Sequence, residues 1–106
     1  MESLTEQDFR LRADQALEEL QHELLPLADE AGLEIDLRNG VLQIVFEEPE
    51  PAKFVISPNA PVQQIWLSAR MRSYKLTWSD DAGTFVLDGE QLNTLVERLT
   101  REQLAS

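Results

Sequence analysis

Apolar residues change their period along this chain, and each change marks an element. From about Thr5 to Ala31 they recur every three to four positions, at Phe9, Ala13, Ala16, Leu17, Leu20, Leu24, Leu27, Ala28 and Ala31. At about 100° per residue they occupy an arc of roughly 120°, the buried stripe of an amphipathic helix. Asp14, Glu18, His22 and Asp29 fall on the opposite side. Ser3 followed by Glu6 predicts a capping box, in which hydroxyl and carboxylate each satisfy a free backbone N–H. Pro26 lacks an N–H and crowds the preceding turn, so a kink, or an early stop followed by another turn, is expected there. Gly32 suits the C-terminal cap.

The period then shortens to two. Leu33 to Arg38 alternates strictly, Asn39-Gly40 suits a two-residue type I′ turn, and Val41 to Phe46 returns. Such a loop pairs Leu37 with Leu42, Ile35 with Ile44 and Leu33 with Phe46 on one face, and turns Glu34, Asp36 and Gln43 to the other. Glu47 to Pro51 reads as a turn and Lys53 to Ser57 as a strand. Pro58-Asn59-Ala60-Pro61 reads as another turn, followed by strands near Gln63–Ala69, Ser73–Ser79 and Thr84–Leu87. Asp88, with Gln91 three residues on, predicts the N-cap of a closing helix to about Gln103, its core side Leu92, Leu95, Val96 and Leu99. Helix, about six short strands, helix, joined by hairpin-length links, predicts an α+β two-layer sandwich with both helices on one face of an antiparallel sheet.

Composition narrows the chemistry. The 106 residues carry 20 Asp and Glu against 9 Lys and Arg, one His and no Cys, for a formal net charge of -11. Without cysteine there is no disulfide framework, thiolate metal site or cysteine nucleophile. The charge repels phosphate backbones and anionic lipid, which argues against nucleic acid and membrane as partners. Met1 to Glu6 is acidic without an apolar h-region, and no run approaches the roughly 18 apolar residues of a spanning helix. A soluble cytoplasmic protein is expected. The 42% hydrophobic content argues against disorder, and the length suits a single domain over 1–106 with one core.

Charge is also unevenly spread. Residues 1–36 hold eleven acids and two bases, a net of -9, whereas 51–79 hold no acid and four bases, Lys53, Arg70, Arg72 and Lys75. Glu18, Glu19 and Glu23 lie within about one helical turn of each other, and Asp29, Glu30, Glu34 and Asp36 continue along the helix end and the adjacent first strand. Crowded carboxylates are relieved by a hard, oxygen-preferring cation such as iron, calcium, magnesium or manganese. A solvated helix face, or a seat for a basic partner, accounts for the same pattern. His22 follows Glu19 by three residues, but a di-iron bundle site needs two Glu-x-x-His pairs and further glutamates. It reads as an exposed helix histidine. No nucleophile elbow and no Gly-x-Gly phosphate loop occurs. In Gln63 to Ser68, alternation puts Gln64, Trp66 and Ser68 opposite Ile65 and Leu67. An exposed tryptophan among amides, followed by Arg70 and Arg72, has the composition of a protein-binding hot spot, and a tryptophan partly sheltered by neighbouring strands, with a structural role alone, accounts for the same pattern.

Nearly the whole chain resembles the frataxin family. The resemblance rests on the acidic helix segment Ala13 to Glu18, the hairpin Asn39 to Ile44, the strand Val55-Ile56-Ser57, and above all Gln64-Ile65-Trp66-Leu67-Ser68 after a turn proline, with Tyr74 and Trp78 beyond it. It implies an iron-binding accessory or regulatory protein of iron–sulfur cluster assembly, a monomer in the absence of iron, acting through contacts more than as an enzyme. It further implies an acidic ridge that binds Fe2+ or Fe3+ weakly and faces a cysteine desulfurase, at Asp14, Glu18, Glu19, Glu23, Asp29, Glu30, Glu34 and Asp36. Asn59, Gln64 and Trp66 are the implied sheet positions that meet the scaffold protein receiving the cluster. Leu25 and Pro26 stand where bacterial relatives often carry carboxylates, and Gln21 and His22 where some have glutamates, so the ridge is thinner here. The alternatives are a metal-independent acidic binding module and a ferroxidase or iron-storage protein, ferroxidase activity being sometimes ascribed to the family.

Overall fold

The computed structural model of the chain describes residues 4–105. The first apolar stripe becomes α1 (Glu6–Ala31), with Phe9, Ala13, Ala16, Leu17, Leu20, Leu24 and Ala28 buried and Leu27 and Ala31 half-buried beside them. Thr5 is its N-cap, the hydroxyl accepting the Asp8 N–H at 3.0 Å. The expected cap, Ser3, lies outside the described residues. The helix continues through Pro26 without a stop. One lost backbone bond at an exposed position does not outweigh burial of the stripe on either side of it. Gly32, at φ 74°, ends the helix, its N–H returning to the Ala28 carbonyl.

β1 (Glu34–Arg38) and β2 (Val41–Phe46) form the expected hairpin, with Leu37 opposite Leu42 and Ile35 opposite Ile44. Asn39 and Gly40 have φ of 52° and 75°, the left-handed pair a type I′ turn requires. Leu33 precedes the strand and forms no ladder pair with Phe46, although it packs on the core. β3 (Ala52–Asn59) is longer than expected, because Pro58 and Asn59 pair with Ile65 and Gln64 instead of turning. Pro58 lies beyond Ile56, the last β3 residue paired with β2, where one flank of the strand has no ladder. The turn comes at Ala60–Val62 and Gln63.

β4 (Gln64–Ala69), β5 (Arg72–Ser79), β6 (Thr84–Leu87) and β7 (Glu90–Gln91) follow, and each of the seven strands pairs antiparallel with the next. The seventh strand arises where the helix N-cap was expected. Asp88 and Gly89, at φ 51° and 82°, form a turn that brings Glu90 opposite Leu87 and Gln91 opposite Val86. α2 (Leu92–Leu104) therefore starts four residues after Asp88, with Gln91 as an N-cap lacking a side-chain bond. Its buried side comprises the expected Leu92, Leu95, Val96 and Leu99, together with Thr100 and Gln103.

Both helices cover the same sheet face. Leu42, Ile44, Phe46, Phe54, Ile56, Ile65, Leu67, Leu76 and Phe85 meet α1 and α2 there in one core, each buried side chain of this size contributing about 1.5–3 kcal/mol of transfer free energy. Phe9 of α1 stands edge-on to Phe85 at 5.8 Å. Asn93 at the start of α2 donates to Glu23 of α1 at 2.5 Å, joining the helices side by side.

Candidate functional site

Two surfaces carry the residues singled out by the sequence. On the helix layer, α1 turns Asp14, Glu18, Glu19, His22, Glu23, Asp29 and Glu30 into solvent. Asp14 and Glu18 border a depression with Leu17, Leu37 and Gly40 at the β1–β2 turn. A Cβ on Gly40 would meet Asp14 Oδ1 at an ordinary contact distance of 3.6 Å, so it is the left-handed turn, at φ 75°, that calls for glycine here. Glu18, Glu19, His22 and Glu23 line a shallow depression with Gln15 on the outer side of the helix.

Glu34 and Asp36 do not join that group directly. Ile35 and Leu37 take the covered side of β1, so the two carboxylates project from the open side, and Asp36 accepts Arg38 Nε at 3.1 Å. The expected ridge is thus divided by the β1 backbone into an α1 part and a β1 part around one sheet edge. Asp14, Glu18, Glu19, Asp29, Glu30 and Glu34 form no ion pair among the described residues. Nor do any three His, Asp or Glu among those residues converge closely enough to hold a metal ion. A cation drawn to this edge would keep most of its water and bind through one or two carboxylates at a time.

The other surface is the sheet face that no helix covers. Ile65, Leu67 and Ala69 are buried, and Gln64, Trp66 and Ser68 point away from the helices as alternation requires. Trp66 is 38% exposed. Its Nε1–H donates to Gln64 Oε1 at 3.0 Å. Asn59 pairs with Gln64 across the β3–β4 ladder, so all three expected partner-facing residues come together. Sequence reading missed Lys75, whose Nζ lies 4.9 Å from the Trp66 ring centroid. Its signal was the register of the β4–β5 hairpin, which pairs Trp66 with Lys75.

Among the described residues no helix is long and apolar enough to cross a membrane. The family model described as a frataxin-like domain matches residues 2–106. The iron-sulfur cluster assembly protein CyaY of Azotobacter vinelandii is 30% identical over 106 residues, covering 96% of this chain and 91% of that protein. Its namesake in Ectopseudomonas mendocina is 34% identical over 79 residues, covering 71% and 70%. Among solved structures, the frataxin of Psychromonas ingrahamii superposes with a TM-score of 0.76 at 20% identity, covering 97% of this chain and 94% of the other, a likeness of fold. By its sequence and by its two helices over one antiparallel sheet, the chain belongs to the frataxin family.

Proposed function

We propose that this chain is a cytoplasmic accessory protein of iron–sulfur cluster assembly that works through two surfaces. The α1–β1 edge attracts iron weakly as cargo and docks on a basic surface of a cysteine desulfurase. The open sheet face around Asn59, Gln64 and Trp66 meets the scaffold protein on which the cluster is built. The observation that carries this reading is the separation of charge on the fold. Carboxylates, most of them without an ion pair among the described residues, crowd the α1–β1 edge, while β3, β4 and β5, which form the middle of the open face, contain no acid. The relatives named for iron–sulfur cluster assembly support the same assignment.

The test is an anaerobic titration of the 15N-labelled protein with Fe2+. Paramagnetic loss of signals confined to the α1–β1 edge, from Asp14 to Asp36, is expected. An unchanged spectrum overturns the iron half and leaves a metal-independent acidic module. The desulfurase half is tested by Glu18→Lys with Glu19→Lys. These exposed, unpaired side chains contribute little to stability, so capture by the desulfurase should fall at moderate salt with the melting temperature nearly unchanged. Undiminished capture removes that half of the proposal.

A further inference from the structure

Beside Trp66 the open sheet face sinks into a hollow of about 360 Å³, bordered by Val55, Ser57, Trp66, Ser68, Ser73 and Lys75. Strand register explains its shape. Val55, Ser68 and Ser73 lie in one row across β3, β4 and β5, and Ser57, Trp66 and Lys75 lie in the next. Small side chains in the first row leave the space, and the indole and the lysine stem stand over it in the second. Gln64 occupies the indole N–H and Lys75 rests over the ring, so contacts within the sheet itself favour this arrangement of the walls in the free protein.

The hollow also has a definite electrostatic character. The Lys75 ammonium has no carboxylate partner among the described residues, and no acid occurs anywhere in β3, β4 or β5. Ser57, Ser68 and Ser73 add hydroxyls at the same place. A cation, three small hydroxyl donors and an indole wall suit a side chain with a short hydrocarbon stem and a carboxylate tip. The stem lies along the ring, and the carboxylate takes a charge-assisted hydrogen bond from the ammonium.

We infer that this hollow is the seat for an acidic side chain projecting from the scaffold protein, with Lys75 as the residue that selects for its charge. The inference rests on the proposed contact between the open sheet face and the scaffold. Isothermal titration of the scaffold protein into the wild type, Lys75→Glu, Lys75→Met and Trp66→Ala separates the two ideas. Lys75→Glu should weaken binding by about tenfold or more, since it places like charges together at a contact. Lys75→Met, which keeps the stem, should weaken binding less and should flatten its salt dependence. A charge-reversed scaffold variant, Glu→Lys or Asp→Lys at an exposed position, that restores binding to Lys75→Glu would identify the occupant. Wild-type affinity in Lys75→Glu together with lost binding in Trp66→Ala overturns the seat and leaves the interface standing. Undiminished binding in both variants overturns the interface and the seat with it. Lys75 is exposed, and unchanged melting temperatures of its variants establish that only the contact has been altered.

Discussion

Two tryptophans stand on opposite faces of one sheet, each with its indole N–H bonded two residues along the chain and a cation over its ring. Trp66 donates to Gln64 and lies under Lys75. Trp78 donates to Asp80 at 2.7 Å and has the Arg12 guanidinium 5.0 Å from its ring centroid. What differs is what lies behind them. Trp78 packs edge-on against Phe85 at 5.3 Å, which in turn meets Phe9, and Arg12 comes from α1, so this indole is part of the joint between helix and sheet. The ladder, hydrogen-bond and cation partners of Trp66 among the described residues all belong to the sheet itself. The same local chemistry therefore closes a core on one face and prepares a contact on the other.

The contrast is largest in stability. Trp78→Ala should cost about 2–3 kcal/mol by denaturant unfolding, somewhat below the roughly 3–5 kcal/mol of a fully buried aromatic because its rim is open. Trp66→Ala should cost at most about 1 kcal/mol and lose scaffold binding instead. A large stability loss in Trp66→Ala would erase the distinction between the faces. A smaller effect concerns the covered side, where the Thr100 hydroxyl is fully buried without a hydrogen-bond partner. Thr100→Val should raise stability by about 1 kcal/mol, because an orphaned buried donor is replaced by an apolar group of like shape. A destabilised variant would show that the hydroxyl has a partner in solution.

On the uncovered rim, Met71 is fully exposed at φ 65° in the β4–β5 turn. Met71→Gly should add roughly 0.5 kcal/mol by relieving the left-handed backbone, offset in part by chain entropy, with scaffold binding unaltered. The smallest effect belongs to the exposed pair between Glu90 of β7 and Arg98 of α2 at 2.8 Å. Hydrogen bonding from Arg98 holds the Glu90 carboxyl below its ordinary value of 4.5. A group depressed on folding contributes fully above its unfolded pKa, so this contribution persists at neutral pH and fades as pH falls below about 4.5 through the folded pKa. The melting temperatures of wild type and Arg98→Ala should accordingly converge in that acid range.

Legibility in the sequence followed the physics of each segment. The α1 stripe and the Asn39-Gly40 hairpin announce themselves, because burial and turn chemistry agree. The β4–β5 turn is of the same two-residue kind, with Arg70 and Met71 both at positive φ. Neither residue is a turn former, so only tertiary pairing reveals it. Asp88 misleads for the opposite reason: aspartate suits both an N-cap and a left-handed turn, and Gly89 decides for the turn. The face of Trp66 could be read from alternation alone. Lys75 over its ring depends on a register that no single strand specifies. The carboxylates were legible as exposed, whereas their division by the β1 backbone needed the sheet edge itself.

The seven strands pair in chain order, and the two helices that cover them lie at the two ends of that order. This arrangement has a kinetic meaning. Every strand pairing is a hairpin that closes a short loop, and such contacts form early and fast. The lateral contact of the helices, Glu23 with Asn93, spans 70 residues and closes one of the longest loops in the molecule. Until it forms, part of the sheet's apolar face lacks its cover. The exposure of this protein to aggregation is therefore governed by the time taken for its two ends to meet, and a substitution that slows their meeting raises that risk without changing anything visible on the folded surface.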